Sequence, residues 1–142
     1  MSFIYDKARE SFLGAASGSI NWLNDTIKAT LVSSSYSPNQ SAHQFVNPSL
    51  TAHTGTWGTQ TLAGKTSTNG EAYASNVTFA TIPVGSVIDY VAIFKEGGAP
   101  NEGTSQLIAL LDSTNISGLP LTGSGASVTI NFNTGPNKIF KL

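Results

Sequence analysis

Two histidines, His43 and His53, and eight carboxylates are the side chains here best suited to ligate a metal or trade protons. As zinc ligands the histidines would need a third donor, and no carboxylate stands near them in sequence. Both fall in a polar stretch and read as ordinary surface residues. A glycan hydrolase would draw an acid and a base from paired carboxylates. Asp6, Glu10, Asp25, Glu71, Asp89, Glu96, Glu102 and Asp112 show no spacing that singles out a pair. Asp89 and Asp112 lie in or at the end of apolar runs, where burial would raise a carboxyl pKa. The plainer reading, favoured for all eight, is an edge residue, a cap or a lysine partner. Serine is abundant, yet no Gly-x-Ser-x-Gly stands between a strand and a helix. Gly123-Ser124-Gly125 reads as a turn. The glycine-rich residues 97–103 are followed neither by a helix nor by Gly-Lys-Ser, which argues against a phosphate cradle. The residues therefore assign no catalytic, cofactor-binding or metal-ligating role. Trp22, Tyr36 and Trp57 lie in or beside loops, where they would stack on sugars, anchor an interface or pack locally.

The elements that would position such residues are β-strands. Hydrophobic residues make up 39% of the 142-residue chain and charged residues only 11%, below the usual quarter. The polar remainder is Ser, Thr, Asn and Gly, which suits turns and solvated strand faces. The length fits one domain, 1–142, able to bury roughly 70% of the surface exposed on unfolding. A net charge of -1 offers no general attraction to nucleic acid or to an anionic membrane. The absence of cysteine removes disulfides, thiolate metal sites and thiol catalysis together. Charges interrupt the N-terminal stretch early, so it does not read as a signal peptide. No apolar run approaches the ~20 residues of a membrane span. Synthesis in a cytoplasm without a cleaved leader is expected.

The densest run of β-formers is Val-Ile-Asp-Tyr-Val-Ala-Ile-Phe at 87–94. It is apolar on both faces, as a central strand covered twice would be. Residues 105–112 share that character and should pair with it. Residues 5–14 form the one convincing helix, with Tyr5, Ala8, Phe12 and Ala15 in a narrow apolar stripe. Asp6 is placed to cap it or to counter the positive N-terminal dipole, and Gly14 and Gly18 to stop it. A turn at 20–25 leads into a strand at 26–34. Residues 35–56 are loop-like, with a short strand expected near 44–46. Residues 59–68 and 71–79 read as one hairpin about Asn69-Gly70, the dipeptide suited to a type I′ turn. A loop covers 113–125. Residues 126–133 alternate cleanly, with Val128, Ile130 and Phe132 inward. Gly135-Pro136-Asn137 then turns the chain into a last short strand at 138–142. Strands punctuated by turns, with an N-terminal arm and one short helix within about 1–18, predict an antiparallel β-sandwich or jelly roll. A two-layer sandwich buries one face of each sheet. Two neighbouring strands apolar on both faces exceed that; the helix can cover part of the extra face, and any remainder should meet another chain.

Three further stretches carry a resemblance: Gly18-Ser-Ile-Asn-Trp; Asp25-Thr-Ile-Lys-Ala-Thr-Leu-Val-Ser-Ser-Ser-Tyr-Ser-Pro-Asn at 25–39; and Tyr90-Val-Ala-Ile-Phe-Lys followed by Ser105-Gln-Leu-Ile-Ala-Leu-Leu-Asp. With the helix at 5–13 before them and Asn69-Gly70 between, their order resembles a family of small structural proteins of tailed bacteriophages. The likeness runs from about Tyr5 to Asp112 and is closest to capsid cement, or decoration, proteins of jelly-roll type. It implies a non-enzymatic virion protein without cofactors on the outer surface of the capsid. It would clamp neighbouring major capsid proteins, itself as a dimer or trimer. The alternative is a tail or fibre protein that binds host surface glycan through Tyr36 and Trp57. For intermolecular contact the N-terminal arm, with Phe3, Ile4 and Tyr5, and the loop residues Tyr36, Pro38, Asn39 and Trp57 are the expected residues, as apolar or loop groups at a terminus and in a turn-rich stretch.

Overall fold

The computed structural model describes residues 2–14, 19–55, 57–97, 104–132 and 139–142. The chain is mainly β, with antiparallel sheets and one short helix, as in a β-sandwich. In chain order the elements are β1 (Phe3–Ile4), α1 (Asp6–Phe12), β2 (Ile27–Ser33), β3 (Thr59–Thr61), β4 (Thr66–Thr68), β5 (Glu71–Tyr73), β6 (Val77–Phe79), β7 (Val87–Lys95), β8 (Gln106–Leu111), β9 (Leu121–Thr122), β10 (Val128–Ile130) and β11 (Phe140–Lys141). A kinked helical turn at Val46–Ser49 interrupts the long connection between β2 and β3.

The main sheet runs β1-β8-β7-β2-β3, and β9 continues the β8 side of β7 by pairing with Val87 and Ile88. The register places Leu31 opposite Val91 and Ile93 opposite Ala109. Val91, Ala92, Ile93 and Phe94 are buried, and so is every residue of β8. A fully buried Leu or Ile contributes about 1.5–3 kcal/mol relative to leaving it exposed, so these two strands anchor the fold. Two smaller sheets, β10-β6 and β11-β5-β4, complete the structure. Phe79, Ile130, Phe132 and Ile139 from this part of the chain join one continuous core with the main sheet.

The predicted apolar surplus is absent from the fold. α1 packs on β8, and the N-terminal residues add β1 as an edge strand. Residues 44–46 extend that edge: Leu107 N–H donates to Gln44, and Val46 N–H to Ser105. The chain thus hides both faces of its central strands by itself. Among the described residues the large apolar side chains left exposed are Leu13, Leu23, Val84, Val87 and Leu142. Self-association is accordingly not demanded by uncovered sheet.

Four local expectations are corrected. The helix is shorter than 5–14, and Asp6 is not its cap: Tyr5 occupies that position. Asp6 instead lies in the first turn, 3.0 Å from Arg9. Gly14 ends the helix at a φ of +89°; Ala15 and Gly18 lie outside the described residues. The single hairpin at 59–79 is divided. Asn69 and Gly70 make its turn with φ of 53° and 79°, but only β4 and β5 flank it. Gly64, at φ +63°, turns the chain before β4, so β3 stays with β2 and β6 leaves to pair with β10. The strand expected near 44–46 is one bridge, Phe45 to Gln106. The loop at 113–125 contains β9. The glycine-rich turn beyond Gly97 and the 133–138 turn lie outside the described residues.

Candidate functional site

At the end of β2 the chain turns sharply. Tyr36 N–H donates to Ser33 at 3.2 Å, and Ser34 N–H donates to Val87. Asn39 then builds the next turn. Its side-chain oxygen accepts from Ala42 N–H at 3.1 Å, and its carbonyl accepts from His43 N–H at 3.1 Å. This returns the His43 ring to Tyr36. Beyond the helical turn at Val46–Ser49, His53 N–H donates to Leu50, and the His53 carbonyl accepts from Ser33 N–H. His53 is thereby fixed beside the end of β2.

The result is a cleft of about 610 Å³ lined by Ser35, Tyr36, Ser37, Ala42, His43, Gln44, Phe45, Pro48, Ser49 and His53. The Tyr36 ring lies close to both imidazoles, with centroids 5.5 Å from His43 and 5.4 Å from His53. A hydrogen-bond chain runs out from the core. The Tyr5 and Tyr36 hydroxyls are 2.9 Å apart, and the Tyr36 hydroxyl is 2.6 Å from His43 Nδ1. A second chain links Ser33 Oγ, Ser35 Oγ and His53 Nδ1 at 2.7 and 2.9 Å.

Burial sets the protonation here. It pushes the Tyr5 phenol far up, with help from the Tyr36 hydrogen bond. It also raises Tyr36, against the opposing effect of the bond from Tyr5. Tyr90, edge-on to Tyr36 at 6.1 Å, is raised by burial and then by Asp89 and Asp112. His43 is lowered, first by burial and then by His53. Tyr36 and His43 therefore present a neutral hydroxyl and a neutral imidazole to the cleft at neutral pH. Ser35 against His53 is half of a nucleophile pair. No carboxylate lines the cleft to orient the ring as a triad requires. Among the described residues no group of three or more His, Asp or Glu is placed to hold a metal ion.

The two histidines are thus half-buried partners of Tyr36 and not independent surface residues. Sequence reading missed this because they are ten positions apart and meet only through the folded loop. Several carboxylates do have the structural roles expected. Asp25 is 3.1 Å from Lys95, and Glu96 is 2.7 Å from Lys28. Asp112 accepts from Ser2 Oγ at 3.0 Å and from Thr114 Oγ1 at 2.6 Å. Burial pushes the Asp112 carboxyl up, but hydrogen bonds, including those from Thr114 and Ser2, outweigh it and hold the group at about 2.

The predicted contact residues separate into two groups. Ile4, Tyr5 and Tyr36 are buried at 4%, 0% and 4% exposure. They offer no contact surface in the folded chain, because an apolar terminus has paired with β8 and the Tyr36 hydroxyl is tied to the core. Phe3 is half-buried, edge-on to Tyr5 at 5.0 Å. Trp57 is half-buried over Gly55, and its indole N–H donates to the Leu31 carbonyl at 3.1 Å. Pro38 is half-buried and Asn39 exposed. Of the seven, Pro38 and Asn39 are the pair on a surface turn. The chain matches no family model, no curated protein and no solved structure in the three comparisons made.

Proposed function

We propose that this protein is a bacteriophage capsid cement protein, bound to the outer surface of the shell and bridging neighbouring major capsid proteins. The observation that carries the reading is the sequence resemblance from Tyr5 to Asp112. The segments that bear it build α1, β2, β7 and β8, which form most of the main sheet. The β-sandwich architecture is compatible with it. The mechanism is linkage: surface buried across a joint between subunits exists only in the assembled shell, so binding stabilises that state against the unassembled one. A fold that closes its own core suits such a clamp, since the protein then reaches the shell already rigid and loses little ordering entropy on docking.

The contact surface is proposed at the Asn39 turn, with Pro38 and the edge of Trp57, and not at the buried arm. Assembly of the clamp as a dimer or trimer belongs to the same proposal. The test is sedimentation of purified protein with emptied, expanded shells. Saturable binding that lowers the temperature sensitivity of the shells is expected. The double change Pro38→Ala and Asn39→Asp should weaken it about tenfold, equivalent to about 1.4 kcal/mol. Absence of binding to expanded shells would overturn the function. Full binding by the double variant would overturn only the contact surface.

A further inference from the structure

The cleft between His43 and His53 has no part in the cement reading, yet its lining is chemically selective. Its volume of about 610 Å³ lies within the range of small-molecule sites, roughly 300–1,000 Å³. Phe45 and Pro48 supply apolar walls, and Ser35, Ser37 and Ser49 supply hydroxyls. No Asp, Glu, Lys or Arg lines it, so the positive charge it can acquire is that of its two imidazoles.

Both rings are already anchored by one nitrogen. His43 Nδ1 meets the Tyr36 hydroxyl at 2.6 Å, and His53 Nδ1 meets the Ser35 hydroxyl at 2.9 Å. The chain behind sets the donor direction. Tyr5 is fully buried and bonded to Tyr36, so its proton goes to the Tyr36 oxygen and the Tyr36 proton goes to His43. On the other side Ser33 Oγ, Ser35 Oγ and His53 Nδ1 form a parallel chain, in which the tautomer of His53 sets which atom donates. An imidazole that accepts at Nδ1 carries its own proton on Nε2. The neutral His43 ring thus keeps an Nε2–H donor for a ligand, and an imidazole of either tautomer donates from both nitrogens once protonated.

We propose that this cleft binds a small hydroxylated carboxylate, by chemical class a sugar acid. The carboxylate takes the two imidazole N–H groups, the hydroxyls of the ligand meet the serines, and the apolar face of its ring lies on Phe45 and Pro48. Charge-assisted hydrogen bonds of this kind are about twice as strong as neutral ones. A cation would face N–H groups with no carboxylate to receive it.

Binding of this ligand is linked to pH through His43. The tyrosines around the cleft do not change charge in that range. Tyr5, Tyr36 and Tyr90 are pushed up by burial and stay neutral. Asp89 and Asp112 act on Tyr90, and the Asp6–Arg9 pair touches the same loop from behind through Gln40. A bound carboxylate favours the imidazolium form and so raises the titration midpoint of His43, which burial otherwise depresses.

The test is an NMR titration of the histidine ring protons of the full chain with D-glucuronate, methyl glucoside and inorganic phosphate. Glucuronate should move the ring signals of His43 and His53 and raise the His43 midpoint. It should bind about tenfold more tightly near pH 5.5 than near pH 7.5, the factor that a one-unit shift produces. Methyl glucoside and phosphate should each bind at least about tenfold more weakly, since the first lacks the charge and the second meets no Lys or Arg. His53→Gln should weaken glucuronate binding while leaving shell binding intact, which separates this site from the cement function. Glucuronate that leaves both rings unmoved would overturn the proposal, as would equal binding of methyl glucoside or phosphate, or undiminished binding by His53→Gln. The midpoint measurement on the unaltered protein decides the matter without any variant.

Discussion

The β7–β8 pair and the loop at 35–57 are held in place by different forces. Val91–Phe94 and all of β8 are buried by repeated apolar side chains on both faces. That stabilisation is large, spread over many contacts and indifferent to pH. The loop has few regular backbone bonds and rests on directional ones: Tyr5 to Tyr36 to His43, Ser35 to His53, Trp57 to Leu31. Each is worth about 1 kcal/mol net, but a buried group left without its partner costs more. The sheet therefore supplies stability. The loop supplies a shaped, titratable surface held against that sheet.

The sharpest break in the comparison is a cavity in the sheet. Ile108→Ala removes a fully buried side chain from β8 and should cost about 3 kcal/mol, read as a lower urea midpoint with an unchanged slope. Tyr36→Phe should cost less, about 2 kcal/mol, because it strands the buried Tyr5 hydroxyl and the His43 nitrogen together. A loss for Tyr36→Phe as large as that for Ile108→Ala would erase the distinction between the two regions.

Acid should act on the loop before the sheet. His43 is depressed in the folded chain, so the unfolded chain takes up its proton first. Stability then falls as pH drops below the ordinary histidine value of about 6.5 and levels off once the folded group is also protonated. A second loss is expected as pH falls from 3.8 toward about 2, where Asp112 releases the N-terminal arm. Thermal melts across this range check both. In His43→Gln the first step should vanish and the second remain. The smallest effect belongs to the helix surface: Glu10→Gln breaks a pair with Lys7 whose side chains are 53% and 41% exposed and should change stability by no more than about 0.5 kcal/mol.

Much of the sheet was legible in the order of residues. Two-sided apolar runs at 87–94 and 105–112 can hardly be placed anywhere but the middle of a sheet, and Asn69-Gly70 specifies a tight turn through its own backbone preferences. Both signals are local, since each depends on side chains one or two positions apart. The loop cluster was illegible for the opposite reason. Tyr5, Ser35, Tyr36, His43 and His53 are scattered over nearly fifty positions, and no periodicity links them.

The sequence by itself determined a mainly β chain, its central strands and its short helix, because burial patterns and turn preferences act between near neighbours. Only the tertiary structure decided that the arm and Tyr36 turn inward, that the chain covers its own sheet, and that the two histidines share one cleft. Those outcomes depend on which distant groups satisfy each other's hydrogen bonds and apolar surface, and that matching exists only once the chain has closed on itself.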